Sequence, residues 1–356
     1  RRMRVSGRLE RLRLMSDTGI AVDGSSYWGM NLVRNVQAEP NCTLVGVVES
    51  SPERRDAVAR AYPDATIWSS LDAALADSRV LAVIVATPAR THAQLALEVL
   101  SAGRHVLVEK PLAMTTFDAA SVQRAAANAG LVAMVGHTFL YSVPVRRLRQ
   151  YLHDGRIGNV NYLYSQRLNL GRIRSDCDAL WNFAPHDLSI MLYLLGERPV
   201  EVSARGFSFL QEGINDVSFA SLEFESGVAG HLHVSWLDPR KARLMTVVGS
   251  TGMAVYDDVS VDHKLSLYDS AAVPAGPPTL QPSLGEHQWQ TRAGDLHMPK
   301  LDLAEPLLQE ISDFVRCCRT GEVPVASAEH GVEVVRVLEA IDASTSLGGA
   351  PVRMVW

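Results

Sequence analysis

Between Gly19 and Gly136, short apolar runs alternate with longer stretches of helical period, and this alternation restricts the fold more than any other feature of the chain. The apolar runs fall at 20–22, 44–48, 80–86, 105–109 and 132–136, and the helical stretches between them at 31–36, 54–61, 91–100 and 117–129. Strands this continuously apolar are expected where helices cover both faces of a sheet. Residues 19–136 therefore read as a doubly wound α/β domain with a parallel sheet.

Beyond 136 the pattern changes. Helices are expected at 143–152 and at 187–195, the second ended by Gly196, and five strand-like runs follow at 200–209, 216–225, 228–237, 242–249 and 253–258. Consecutive strands with few helices between them imply a mainly antiparallel, open-faced sheet, one face covered and the other available to a ligand or partner. The stretch 271–285 reads as a surface loop, and helices at 304–319 and 328–346 close the chain. A length of 356 residues exceeds what one core serves, so the expected division is an extension over 1–18, a dinucleotide-type domain over 19–136 and a second domain over 137–356. The arginine-rich start could be a nucleic-acid arm or a targeting peptide; the reading adopted is a frayed extension before Met15.

Composition narrows the function. The chain is 47% hydrophobic and 21% charged, and holds no apolar run near the ~20 residues a membrane span needs. A net charge of −5 gives no field that attracts nucleic acid, so the expected partner is a small molecule. Cys42, Cys177, Cys317 and Cys318 lack metal-type spacing and no signal peptide is visible, which implies reduced thiols in a cytoplasm and no metal.

The first strand-to-helix turn reads V-D-G-S-S-Y-W-G. In a dinucleotide fold such glycines make the tight turn, admit the pyrophosphate to the backbone and let helix pack on strand. Gly24 and Gly29 fill the first and third roles, Ser26 stands in the second, and Asp23 places an anion where an apolar strand end is usual. Alone, the motif serves equally as a plain strand-to-helix turn. Glu49 ends the second run, 25 positions after Gly24, close to the ~20-residue offset of an acid that accepts from the adenosine ribose. With Ser50, Ser51 and Pro52 after it and no immediate arginine, NAD is expected rather than NADP. Ala86–Pro88 and Glu109–Pro111 each follow a strand, at the carboxyl edge where open α/β sheets bind ligands. Lys110 there can hydrogen-bond a hydroxyl or carbonyl oxygen and stabilise a developing alkoxide. In L-W-N-F-A-P-H-D-L-S-I, Asn182, His186 and Asp187 are expected at a helix start, with His186 suited to acid–base work and Asp187 to the helix N-terminus. His231 and His233 alternate on a strand without a third ligand and read as structural.

Taken in order, SYWGMNLVRN, ATP, EKPLA, GHTFLY, WNFAPHDLSI and HVSWLDPRKAR resemble the Gfo/Idh/MocA oxidoreductases, in the branch that contains nucleotide-sugar 3-dehydrogenases. The likeness runs from Gly19 onward. It implies an N-terminal Rossmann domain and a C-terminal α/β domain whose open sheet mediates homodimers or homotetramers. It makes Lys110, His186 and Asn182 the catalytic set. Asn182 sits where many members carry aspartate, and Ala184 where glycine is common. The resemblance also implies that Gly24, Ser26, Tyr27, Trp28, Gly29, Glu49, Thr87, Pro88, Glu109 and Lys110 surround NAD, and that His92 is a buried, hydrogen-bonded residue. Arg172, Arg174, Arg240 and Lys241 are available to a diphosphate. The implied reaction is oxidation of a secondary hydroxyl, the 3-hydroxyl of a nucleotide-linked hexose. The alternatives are a keto-sugar reductase, an enzyme that keeps NAD and oxidises only transiently, and a sugar-nucleotide binding protein without cofactor, for which Asp23 and Ser26 speak.

Overall fold

A computed structural model describes residues 17–274 and 289–356. The chain packs as two compact units: the described residues up to Tyr141 together with Ala304–Arg336, and Ser142–Leu303 together with Val337–Trp356.

The first unit carries six parallel strands, β1 (Thr18–Asp23), β2 (Cys42–Val48), β3 (Thr66–Trp68), β4 (Ala82–Val85), β5 (His105–Val108) and β6 (Ala133–Val135), in the order β3-β2-β1-β4-β5-β6. Ile20, Ala21, Val22, Val83 and Ile84 are fully buried, so successive side chains on opposite faces are both covered, as the unbroken apolar runs require. The helices are α1 (Tyr27–Ala38), α2 (Pro52–Ala61), α3 (Leu71–Leu75), α4 (His92–Ser101) and α5 (Thr116–Ala129). Ser51 caps α2 by accepting from the Arg54 N–H, Thr115 caps α5 by accepting from Asp118, and Gly130 closes α5 in the left-handed region. Because β1 lies between β2 and β4, the winding reverses there and leaves a crevice at the strands' carboxyl ends, the usual ligand position of such sheets.

The second unit holds α6 (Val143–His153), β7 (Val160–Leu168), α7 (Ala179–Leu195), β8 (Pro199–Phe207), β9 (Val217–Phe224), β10 (Ala229–Ser235), β11 (Ala242–Gly249), β12 (Met253–Asp257) and β13 (Leu265–Tyr268). β14 (Ala271–Pro274) and β15 (Trp289–Arg292) form a two-stranded ribbon, and β16 (Leu296–His297) and β17 (Val352–Arg353) end the main sheet, ordered β16-β13-β12-β11-β7-β10-β9-β8-β17. All its pairs are antiparallel except β7 with β10. One face buries Leu163, Ala220, Leu222, Leu232 and Val234, and the other exposes Tyr162, Tyr164, Phe219 and His231. Two further helices, α8 (Pro306–Thr320) and α9 (Ala328–Ser346), complete the chain.

The two-part α/β architecture is the expected one, with four differences. Residues 304–336 pack with the first unit although a single cut at 136/137 assigns them to the second; Glu305 binds Arg34 and Asn35, and Ser312 binds Glu39. α7 begins at Ala179, two turns ahead of its expected start at 187, with Asp178 as its cap and Pro185 inside it. Ala271–Pro274 is strand rather than loop, and the remainder of that expected loop, like residues 1–16 of the expected extension, lies outside the described residues. β3, α3, β7, β13, β15, β16 and β17 have no counterpart in the periodicity. Among the described residues no helix is long and apolar enough to cross a membrane.

Candidate functional site

The crevice of the first unit is built on the turn after β1. Gly24 has φ +104°, and a Cβ there would stand 2.7 Å from the Ala86 carbonyl oxygen; a Cβ on Gly29 would stand 1.9 Å from the Gly24 oxygen. Neither position admits another residue, and the result is the close backbone turn against a helix N-terminus that a pyrophosphate needs. Ser26, the cap of α1, is exposed and extended (φ −63°, ψ 176°) and its side chain makes no capping bond, so the absent second glycine leaves the turn's backbone intact. Tyr27 is 86% and Trp28 40% exposed beside it. These residues fit a dinucleotide. Asp23 is 7% exposed, and burial, followed by the nearby charges of Glu49 and Glu98, pushes its carboxyl up to about 7.

Glu49 follows β2 as expected, yet its carboxylate is already engaged. It accepts from the Ser25 N–H (3.2 Å) and hydroxyl (2.6 Å), the Ser51 N–H (2.8 Å) and the Arg54 guanidinium (2.9 Å). Burial works to raise its pKa; Arg54, Ser25 and Ser51 outweigh burial and hold it at about 2. The immediate sequence shows no arginine after Glu49, but the first turn of α2 brings two back: Arg54 to the carboxylate, and Arg55 to the Glu49 and Ser50 carbonyl oxygens at 3.0 and 2.7 Å.

At the ends of β4 and β5 stand Thr87, Pro88, Glu109 and Lys110, with Thr87 and Lys110 half-buried. His92, 1% exposed, ties the two loops together, with its ring nitrogens 2.7 Å from the Pro111 oxygen and 2.9 Å from the Thr87 oxygen. Burial, with the Lys110 charge adding to it, lowers its pKa, so the neutral ring donates to one of these carbonyls. Glu109 is 7% exposed and accepts from the Trp28 indole N–H and the Lys110 backbone N–H. The Trp28 bond joins two residues 81 positions apart and had no sequence signal.

In the second unit, Asn182 and His186 lie one helical turn apart on one face of α7, both half-buried. Asp187 does not sit at the helix start. It lies inside α7, 2% exposed, and takes both oxygens to Arg167 of β7 at 2.5 and 3.2 Å. Ala184 is fully buried. Arg174 is engaged with Asp176 (2.9 and 2.5 Å), while Arg172, Arg240 and Lys241 are exposed or half-exposed. His233 stacks on Phe219 with ring centroids 4.3 Å apart, and among the described residues no His, Cys, Asp and Glu cluster is arranged to hold a metal.

Residues 18–137 match the oxidoreductase family with an NAD-binding Rossmann fold, and residues 145–255 match the GFO/IDH/MocA C-terminal domain. Over 238 residues the chain is 31% identical to UDP-N-acetylglucosamine 3-dehydrogenase of Acidithiobacillus ferrooxidans, covering 64% of this chain and 70% of that one. It is 27% identical over 321 residues to 1,5-anhydro-D-fructose reductase of Ensifer adhaerens, covering 87% and 91%. The solved structure of the Acidithiobacillus dehydrogenase superposes with a TM-score of 0.74 at 26% identity, covering 94% of this chain and 99% of that one. A turn closed to any side chain, an acid after β2, the EKP triplet at the β5 edge and both matched domains make this chain a member of the Gfo/Idh/MocA family of NAD-binding oxidoreductases.

Proposed function

We propose that the chain oxidises a secondary hydroxyl of a sugar, the 3-hydroxyl of a nucleotide-linked hexose, with NAD as the hydride acceptor. The observation that carries this reading is the placement of Lys110 at the carboxyl end of β5, held by its own backbone bond to Glu109 in the unit that carries the dinucleotide turn. Bound NAD supplies the hydride acceptor; Gly24, Ser26, Tyr27, Trp28, Gly29, Glu49, Thr87, Pro88 and Glu109 surround it, and the Glu49 carboxylate disfavours a 2'-phosphate. Lys110 hydrogen-bonds the reacting oxygen and stabilises its negative charge. His186 takes the hydroxyl proton, and Asn182, one turn earlier on the same helix face, positions the substrate beside it. The activity of the Acidithiobacillus relative favours UDP-N-acetylglucosamine as the first substrate to offer.

In this reading the second unit binds substrate and self-associates through its exposed sheet face, and the protein works in a cytoplasm, where its four free cysteines stay reduced. Replacing Lys110 with Met should lower NADH formation from UDP-N-acetylglucosamine by at least about 10²-fold while NAD binding, followed by calorimetry, stays within a few-fold. Turnover that survives the substitution would sink the role of Lys110. A second reading, reduction of a keto sugar by the same residues, is favoured by the reductase that matches 87% of the chain. It is preferred if 1,5-anhydro-D-fructose consumes NADH and UDP-hexoses yield none. Absence of NAD binding in the calorimeter would remove both and leave a sugar-nucleotide binding protein.

A further inference from the structure

Beside Lys110, around the Glu109 carboxyl, the first unit buries further polar residues that the reaction above does not use. Glu109 fills space left by Gly136, where a Cβ would stand 3.0 Å from its carboxyl. Glu310 of α8 is fully buried; its Oε2 accepts from the Thr138 hydroxyl at 2.8 Å, and its Oε1 has no hydrogen-bond partner. His137, 1% exposed, has neither ring nitrogen bonded and stands edge-on to His330, ring centroids 5.5 Å apart. His330 keeps its Nε2 buried and unbonded and turns its Nδ1 toward Glu333, 3.7 Å away.

The charges around this group are unbalanced. Burial raises Glu310 well above the carboxylate range, and Glu109 and then Asp313 push it further; burial also raises Glu109, against the Trp28 bond and the Lys110 charge. Burial, His330 and Lys110 together keep His137 neutral. Two carboxyl groups thus lie out of water; the Lys110 charge acts on Glu109, and a second buried negative charge on Glu310 would have no such cation to compensate it.

We propose that Glu109 and Glu310 hold one proton between them, resident on Glu310, and that Glu310 is thereby a positioning residue: as a neutral acid it leaves Glu109 the single negative charge that orients Trp28 and Lys110 at the cofactor edge. The inference rests on the assignment of Lys110 to the reacting edge. It gives α8, which carries no residue of the proposed reaction, a part in setting that edge.

The chain contains four lysines, Lys110, Lys241, Lys264 and Lys300, so isotopically labelled dimethyl-lysine signals can be followed by NMR and Lys110 assigned with Lys110→Met. Glutamine reproduces a protonated carboxyl. Glu310→Gln should therefore leave the Lys110 titration within about 0.3 pH unit of wild type, whereas Glu109→Gln should move it down by about one unit. A fall in Glu310→Gln comparable to that in Glu109→Gln would mean that Glu310 is ionised, and would overturn the proposal. Should Glu310→Gln fail to fold, infrared spectra decide at about pH 9, above the range in which Asp23 (about 7) and Asp342 (about 6) ionise: a protonated-carboxyl band must persist there in wild type and be lost in Glu310→Leu, since burial also raises Glu109, Asp178 and Asp187. The positioning role has its own measurement. Glu310→Leu, which fills the space without a hydrogen bond, should weaken NADH binding about tenfold in a fluorescence titration, with Glu310→Gln restoring it. Unchanged affinity in Glu310→Leu refutes the role. None of these readouts uses sugar turnover, so they stand or fall separately from the dehydrogenase reading.

Discussion

Asp23 is the residue at which this chain departs furthest from what a dinucleotide turn requires. A carboxyl closing β1 at 7% exposure, facing Glu49 and Glu98, is held neutral to about pH 7. Its folded pKa lies above its unfolded value near 3.9, so the neutral acid's contribution is complete below about pH 4 and is lost as pH rises through 7, a loss of up to about 4 kcal/mol. Asp23→Val should therefore show little of the fall in stability that wild type shows between about pH 5 and pH 8, measured by urea unfolding at both. Parallel pH slopes in the two proteins would contradict the buried-acid account. At this scale the sequence is most legible where chemistry and chain position coincide: Glu49 after β2 and Lys110 after β5 stand where spacing put them, and His92 is buried and hydrogen-bonded as the resemblance implies. It is least legible where a partner comes from far along the chain. Arg54 on Glu49 needs only a turn of helix, but Trp28 on Glu109 and Glu310 beside Glu109 join separate elements, and no local pattern records such a meeting.

α7 and β7 illustrate the same limit among elements. Pro185 and the polar Asn182, His186 and Asp187 look like the start of a helix, because proline and acids favour the first turn. The start lies at Asp178, whose side chain accepts from the Trp181 N–H at 2.9 Å, and Pro185 is carried inside. β7 gives a weak strand signal for a related reason. Its covered face includes Ser165 and Arg167, the arginine buried because α7 supplies Asp187 as its partner, so alternation by hydrophobicity disappears. The Arg167–Asp187 pair is 6% and 3% exposed in its side chains, which makes the two elements interdependent. Arg167→Met alone should cost about 3–5 kcal/mol by stranding Asp187, and adding Asp187→Leu should recover most of it. Simple addition of the two losses in chemical denaturation would argue that the pair does not act as a unit.

For the whole molecule, the sheet of the second unit leaves an aromatic face uncovered. Tyr162 and Tyr164 stack at 6.4 Å and Phe219 stacks on His233, with the four side chains on three adjacent strands. An apolar face of this kind on a two-layer unit is suited to a second copy of itself. If two copies pair through this face as proposed, wild type should sediment as a dimer or tetramer and Tyr164→Asp combined with Phe219→Asp as a monomer; an unchanged mass excludes that face. The architecture of two α/β parts was readable from the switch between helical and strand-like periods near 136. The path of the chain between them was not, since the residues of α8 carry an ordinary amphipathic pattern that says a face is buried without saying against what.

That path governs the order in which the molecule can be made. The dinucleotide unit takes its last helical residues from 304–336, and Glu305 and Ser312 close bonds to Arg34, Asn35 and Glu39. A ribosome therefore starts this unit before the second sheet and finishes it only after every strand of that sheet except β17 has been translated. The nascent cofactor unit waits, incomplete, on a segment still to be translated, and a stalled or truncated translation product would carry the dinucleotide turn without the helix that holds Glu310.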